Sequence, residues 1–207
     1  MKVIRPFGPS IAKVTIPEGL VNKLNEYLDS IISNDEKMKS QDYGNKLAGN
    51  VSQEFMLEKE FIFSSGLENF LSTNTREWIK QTIKTEINNF NIIESWIVRQ
   101  FENEYNPLHI HTGASLSCVG YLGLPNGIEK EWEEDYKDHH PANGHIQFAH
   151  GTPSGYNTTN FMVKPQVGDF YVFPAELFHC VYPFKTKGER RSFSVNFSFI
   201  EVPKDKK

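Results

Sequence analysis

The sequence is poor in cysteine, has no long apolar run and shows no excess of basic residues, and each shortage removes a class of protein. Cys118 and Cys180 are its only cysteines, far apart and without a CxxC spacing, so neither a disulfide framework nor a thiolate zinc site is encoded. That usage suits a reducing compartment. No apolar stretch approaches the roughly 20 residues of a membrane span, and the opening Met1-Lys2-Val3-Ile4-Arg5-Pro6 is broken by Pro6 before a signal-peptide core can form. Together these absences predict a cytoplasmic protein with no membrane partner. Lys and Arg number 22 against 26 Asp and Glu, a net charge of −4. With no basic stripe, the chain lacks the electrostatic footprint of a nucleic-acid binder. Histidine is missing from the first 108 residues: all seven, His109, His111, His139, His140, His145, His150 and His179, follow. Imidazole chemistry therefore belongs to the second half.

What is present describes one domain over 1–207. A chain of 207 residues buries roughly 70% of the surface it exposes when unfolded, so its core needs no metal or disulfide staple. From Pro17 to Ser33, Leu20, Val21, Leu24, Leu28, Ile31 and Ile32 recur at helical steps. A polar stretch, 34–53, reads as a surface loop. Leu67, Phe70, Leu71, Trp78, Ile79, Ile83 and Ile87 give a second helical pattern, with an interruption expected near Ser72 to Asn74, where cap-forming residues cluster. The first 90 residues are thus expected to be mostly helical. Over 91–201 the texture changes to seven short β-branched and aromatic runs (92–101, 108–111, 116–122, 145–148, 161–164, 169–173 and 191–200) punctuated by Gly and Pro. Their spacing leaves no room for crossover helices. It predicts an α+β protein with an antiparallel jelly-roll (double-stranded β-helix) core and the N-terminal helices packed on one sheet. One insertion, 123–143, holds six acids and two lysines. It is a candidate lid, or else a solvated loop that contains His139 and His140.

His109-Ile110-His111 puts two imidazoles on one face of an extended segment. His179, 68 residues after His111, would complete a three-point grip with open coordination positions, which is what a catalytic metal needs. In the run from Glu189 to Phe197, alternation places Arg190, Ser192, Ser194 and Asn196 on one face and Phe193, Val195 and Phe197 on the other. A polar face inside a sandwich is costly unless it lines a site. An Arg with a hydroxyl two residues on suits a carboxylate, the guanidinium fork taking both oxygens. Arg191, pointing the other way, reads as a surface charge, and Cys180, beside His179, as an apolar thiol. His145 and His150 flank a core strand.

Taken in order, Tyr105-Asn-Pro-Leu-His109-Ile-His111, Tyr121-Leu122, Pro165-Gln-Val-Gly168-Asp-Phe-Tyr-Val-Phe173-Pro174 leading to His179, and Arg190-Arg-Ser192 resemble the iron(II)/2-oxoglutarate-dependent oxygenases. The resemblance is to the small oxygenases of marine bacteria and phages and, more distantly, to the prolyl 4-hydroxylases, and it covers about residues 92 to 200. It implies a jelly roll in which His109 and His179 hold Fe(II), while Arg190 and Ser192, with Tyr121, hold the far carboxylate of 2-oxoglutarate. It further implies O2 as co-substrate, ascorbate as an accessory reductant, and hydroxylation of a small-molecule or peptide substrate with release of succinate and CO2, in a bacterial cell or a phage-infected host. The departure is His111, which stands where the family usually has an acid. Either His111 is the third ligand, or a water replaces it, or an acid such as Asp169 or Glu176 reaches the ion. The rival readings are a cupin-like metalloenzyme that does not use 2-oxoglutarate and a non-catalytic jelly-roll binding module. Neither substrate identity nor oligomeric state is legible.

Overall fold

A computed structural model of the chain describes residues 1–4, 8–133 and 142–201. In chain order the elements are β1 (Lys2–Ile4), β2 (Ile11–Thr15), α1 (Glu18–Ile32), α2 (Asp35–Ser40), β3 (Gln53–Met56), α3 (Lys59–Ser65), α4 (Leu67–Ile83), β4 (Ile87–Phe101), β5 (Asn106–His109), β6 (Leu116–Gly123), β7 (Ile146–Ala149), β8 (Asn160–Val163), β9 (Asp169–Pro174), β10 (Phe178–Val181) and β11 (Glu189–Glu201). The strands form a seven-stranded sheet, ordered β1-β2-β9-β6-β11-β4-β3, and a four-stranded sheet, β5-β10-β7-β8. All of the strand pairings are antiparallel.

The larger sheet has two unlike faces. Its outer face carries Phe55, Ile97, Cys118, Phe170, Phe193, Val195 and Phe197 into a core shared with Leu20, Leu24 and Leu28 of α1 and Leu67, Leu71 and Trp78 of α4. α1 forms where the apolar period demands it, its buried stripe being Leu20, Val21, Leu24, Leu28 and Ile31. Close packing on this face depends on Gly120, which pairs with Phe193 across the β6–β11 ladder. A Cβ at that position would stand 2.3 Å from the Phe193 ring. The inner face, turned toward the small sheet, is where Tyr121, Tyr171, Phe173 and Phe148 meet.

The expected jelly roll with N-terminal helices on one sheet is therefore what the chain forms, with three differences. First, the predominantly helical first 90 residues also contribute β1, β2 and β3, and the presumed loop at 34–53 contains α2, capped by the Asn34 side chain accepting from the Glu36 and Lys37 amides. Second, α4 runs unbroken through Ser72 to Asn74 because these side chains fold back onto the helix itself. The Ser72 hydroxyl bonds the Asn69 carbonyl and the Asn74 amide bonds the Phe70 carbonyl. The break falls instead at Gly66, whose φ of +88° suits only glycine without strain. Third, among the described residues of this half the seven expected strands become eight, because β10 around His179 is a strand as well. Among the described residues no helix is long and apolar enough to cross a membrane.

Candidate metal centre and adjoining cavities

β5 and β10 lie side by side with His109 and His179 directly paired. His111 follows β5 by two residues and is fixed by its amide donating to the Ala175 carbonyl, 2.9 Å away. The ligating nitrogens of the three rings all lie within 4.8 Å of one another, and this trio is the one metal-capable group of His, Cys, Asp and Glu among the described residues. The Nδ1 atoms of His109 and His179 donate to the carbonyls of Pro107 (2.7 Å) and Leu177 (2.8 Å). That leaves both Nε2 atoms as acceptors, the tautomer a metal takes. His111 Nε2 lies 3.2 Å from His179 Nε2.

Burial lowers the pKa of all three rings. His111 is pulled down to about 4, with His109 nearby as the lesser cause, and His179 falls well below its ordinary value for the same two reasons. Neutral imidazoles, ready to ligate, are the state at neutral pH. Of the acids considered as replacement ligands, Asp169 is held by Lys13 at 2.7 Å and by the Tyr171 hydroxyl, and Glu176 is exposed. Neither joins the cluster.

A cavity of about 50 Å³ runs inward from His109, His111 and His179 to Arg190, Ser192 and Tyr121. Arg190 is 3% exposed. One of its terminal nitrogens donates to the Gly144 carbonyl at 2.9 Å and the other to Gln100 Oε1, while its Nε has no partner. The guanidinium lies 5.9 Å from the centre of the Tyr121 ring, and burial raises the Tyr121 phenol to about 12 despite the arginine. The phenol therefore stays protonated and can donate. Ser192 pairs with Tyr121 across β11 and β6. In the same cavity the Ser117 hydroxyl is buried without a partner.

Several neighbours of the site, Asn196 on the expected polar face of β11 excepted, had no sequence signal. Asn196 lies with Nδ2 3.1 Å from Glu94 and 3.2 Å from His111 Nδ1, while its buried Oδ1 is unpartnered. Gln100 and Gly144 clamp Arg190. Glu54 of β3 lines both the inner cavity and a second chamber over the histidines. Burial and the neighbouring acids Glu104 and Asp42 raise its carboxyl to about 7.

Other expectations are resolved differently. The 123–143 insertion is described only to Glu133 and from Ala142; His139, His140 and Tyr136 lie outside the described residues. Its first part is packed rather than loose. Trp132 donates to the Asn143 carbonyl at 2.8 Å, and the carboxylate of Glu131, 3% exposed, accepts from the Lys185 and Thr186 amides. Arg191 does face away from Arg190, yet it is not a free surface charge, since it pairs with Asp29 (2.8 Å) and Glu189 (2.7 Å). His145 is buried before β7, its ring beside Trp132. A groove of about 590 Å³ lies elsewhere, between α3 and the start of β4, and has no His or Cys in its lining.

Residues 94–196, which include His109, His111, Tyr121, His179, Arg190 and Ser192, match the model of a family described as "Putative 2OG-Fe(II) oxygenase". No curated protein matches the sequence. Among solved structures, a prolyl-4-hydroxylase of Pseudomonas putida is 15% identical with a TM-score of 0.59, over 93% of each chain. The viral collagen prolyl hydroxylase of Paramecium bursaria Chlorella virus-1, in complex with 2OG, is 14% identical with a TM-score of 0.54, over 93% of this chain and 96% of that one. A Trichoplax adhaerens prolyl hydroxylase in complex with a hypoxia-inducible-factor peptide fragment is 12% identical with a TM-score of 0.53, over 90% of this chain and 82% of that one. At these identities the likeness is one of fold.

Proposed function

Because the chain belongs, through residues 94–196, to the Fe(II)/2-oxoglutarate-dependent oxygenases, we propose that it hydroxylates a peptidyl residue or small metabolite, with His109, His111 and His179 as metal ligands and Arg190, Ser192 and Tyr121 as the 2-oxoglutarate anchor. The observation that carries this reading is one cavity with a chelating end and a carboxylate-binding end. Three neutral imidazoles stand at the first, and a buried guanidinium with an unpartnered Nε stands at the second.

The residues fit both groups. His109 and His179, with their protons on Nδ1, already present Nε2 as an acceptor. For His111 to do the same, its proton must sit on Nδ1. A half-turn of the Asn196 amide lets Oδ1, a buried oxygen with no other partner, accept it, giving up the bond from Nδ2 to Glu94, which keeps the Tyr43 hydroxyl as its donor. Arg190 is held in place by neutral acceptors, Gln100 and Gly144, so its charge is not consumed by a carboxylate of the protein. A dicarboxylate that reaches it forms a charge-assisted, bidentate pair in a dry site. Tyr121 adds a phenolic donor.

Iron(II), when bound, supplies the activation of O2, with 2-oxoglutarate as the reductant that leaves as succinate and CO2. The protein's own part is to bind, orient and exclude water. Phe148 and Phe173 pack against the His179 ring at 6.1 and 4.9 Å between centroids and shield it. Anaerobic addition of Fe(II) and 2-oxoglutarate is expected to give the visible metal-to-ligand charge-transfer band of a chelated keto acid, and air should then release succinate. A protein that binds iron but yields neither signal is a metalloprotein of another kind.

A further inference from the structure

The chamber over the histidines has about 240 Å³ and is walled by Lys46, Leu47, Glu54, Glu94, Trp96 and His111, among others, with the Lys46 ammonium 4.8 Å from the centre of the Tyr43 ring and in no ion pair with Glu54. Glu54 is its unusual feature. The side chain is 4% exposed, and among the described residues no donor or cation meets its carboxylate, whose charged neighbours Glu104 and Asp42 are also acids. An unpaired buried carboxylate is costly. Glu94 differs, because the Tyr43 hydroxyl donates to one of its oxygens and Asn196 to the other. Nor is Glu54 the acid that the histidine trio lacks, since the convergent ligand atoms are those of His109, His111 and His179 alone. Trp96 gives the chamber an aromatic wall, its ring centre 5.8 Å from that of His111.

We propose that the substrate enters this chamber with a basic nitrogen, a protonated alkyl amine or a guanidinium, directed at Glu54. This rests on the oxygenase reading above and names the substrate class for it. A divalent ion on three neutral imidazoles, joined by a dicarboxylate, carries no net charge, and Arg190, which takes the far carboxylate, stays at the other end of the cavity, so loading the site brings no cation onto the Glu54 carboxylate. A substrate cation balances it and gains the Trp96 face for its alkyl stem. The chamber holds roughly eight waters' share of volume, which suits a side chain rather than a drug-sized ligand. A Lys or Arg residue of a peptide and a free amino compound share this chemistry.

The test uses zinc-loaded protein with 2-oxoglutarate present, which cannot turn over, titrated calorimetrically with n-butylammonium and with its neutral isostere 1-butanol. The cation is expected to bind at least about tenfold tighter than the alcohol, and Glu54→Gln to reduce that preference to about threefold or less. Equal binding of the two probes to the unaltered protein, which needs no variant, overturns the proposal. So does a preference unchanged in Glu54→Gln, or a fall in zinc affinity in that variant as large as the fall in cation affinity, which would assign the carboxylate to the metal. A lysine-bearing pentapeptide separates the sources: tighter binding than n-butylammonium supports a peptide substrate, and equal binding supports a free amine. Binding of 2-oxoglutarate to the zinc protein is measured separately without probe. Its failure sinks the oxygenase reading, while the cation preference is read on its own.

Discussion

Arg190 and Glu54 are buried charges of opposite sign that line one cavity and form no ion pair with each other. Arg190 sits on β11, inside the sheet, and is held by neutral acceptors on Gln100 and Gly144 with its Nε left open. Glu54 sits on β3, the last strand of the sheet, and is met by no donor among the described residues. A buried pair would have cancelled both charges and left the interior inert. Kept apart, each is available to a ligand of the opposite sign, and the histidines open onto the space they share. The lesson is that the unpaired charges, more than the apolar packing, mark where ligands are expected.

The largest effect is expected at the histidines that lie between the two charges. His179→Ala removes the most buried of the three imidazoles, and both 2-oxoglutarate-dependent succinate release and tight metal binding are expected to vanish, a loss of affinity above about a hundredfold by metal titration. If metal affinity survives, the trio has been assigned wrongly. Next in size, Arg190→Ala should raise the 2-oxoglutarate concentration needed for half-maximal succinate release by about a hundredfold while sparing metal affinity. An unchanged requirement would leave Arg190 a structural charge.

The smallest effect sharpens the Glu54 side through pH. Its carboxyl is raised to about 7 in the folded protein from an ordinary 4.5, so the folded state holds a proton that the unfolded state has released. Stability is then lost as pH rises through that window and is level above it. In the metal-free protein the histidines oppose this, since their lowered pKa values make stability rise with pH below about 6.5. The difference between Glu54→Gln and the unaltered chain cancels them. The variant should match the original in urea unfolding near pH 4 and exceed it near pH 8 by on the order of 3 kcal/mol. A constant difference across pH would mean that Glu54 is not strained by its burial.

Legibility in the sequence followed locality. His109 and His111 sit two residues apart, and the β11 alternation separates Arg190 and Ser192 from Phe193 and Val195, so short-range periodicity reveals them. Even so, β5 ends at His109, and what actually aims His111 is its amide bond to Ala175. Glu54 lay at the border of a polar stretch that reads as surface. Its burial comes from β3 pairing with β4, where Glu54 faces Val98 some forty residues away in the chain, and no local pattern encodes that. β1 and β2 were hidden for the same reason, since β2 is tied to β9, more than 150 residues on. The Gln100 and Gly144 clamp on Arg190 is equally nonlocal.

His109 and His179 face each other across the β5–β10 ladder, each with its Nδ1 tied to the carbonyl two residues before it. Both strands have four residues, and their register shifts just past His179. A shared ion would therefore act as a cross-strand rivet at the seam of the small sheet where the register shifts. Binding free energy becomes local folding free energy there, so the amides of β5 and β10 should exchange with solvent more slowly as metal loads, while those of β11, locked between β4 and β6, should not register the change.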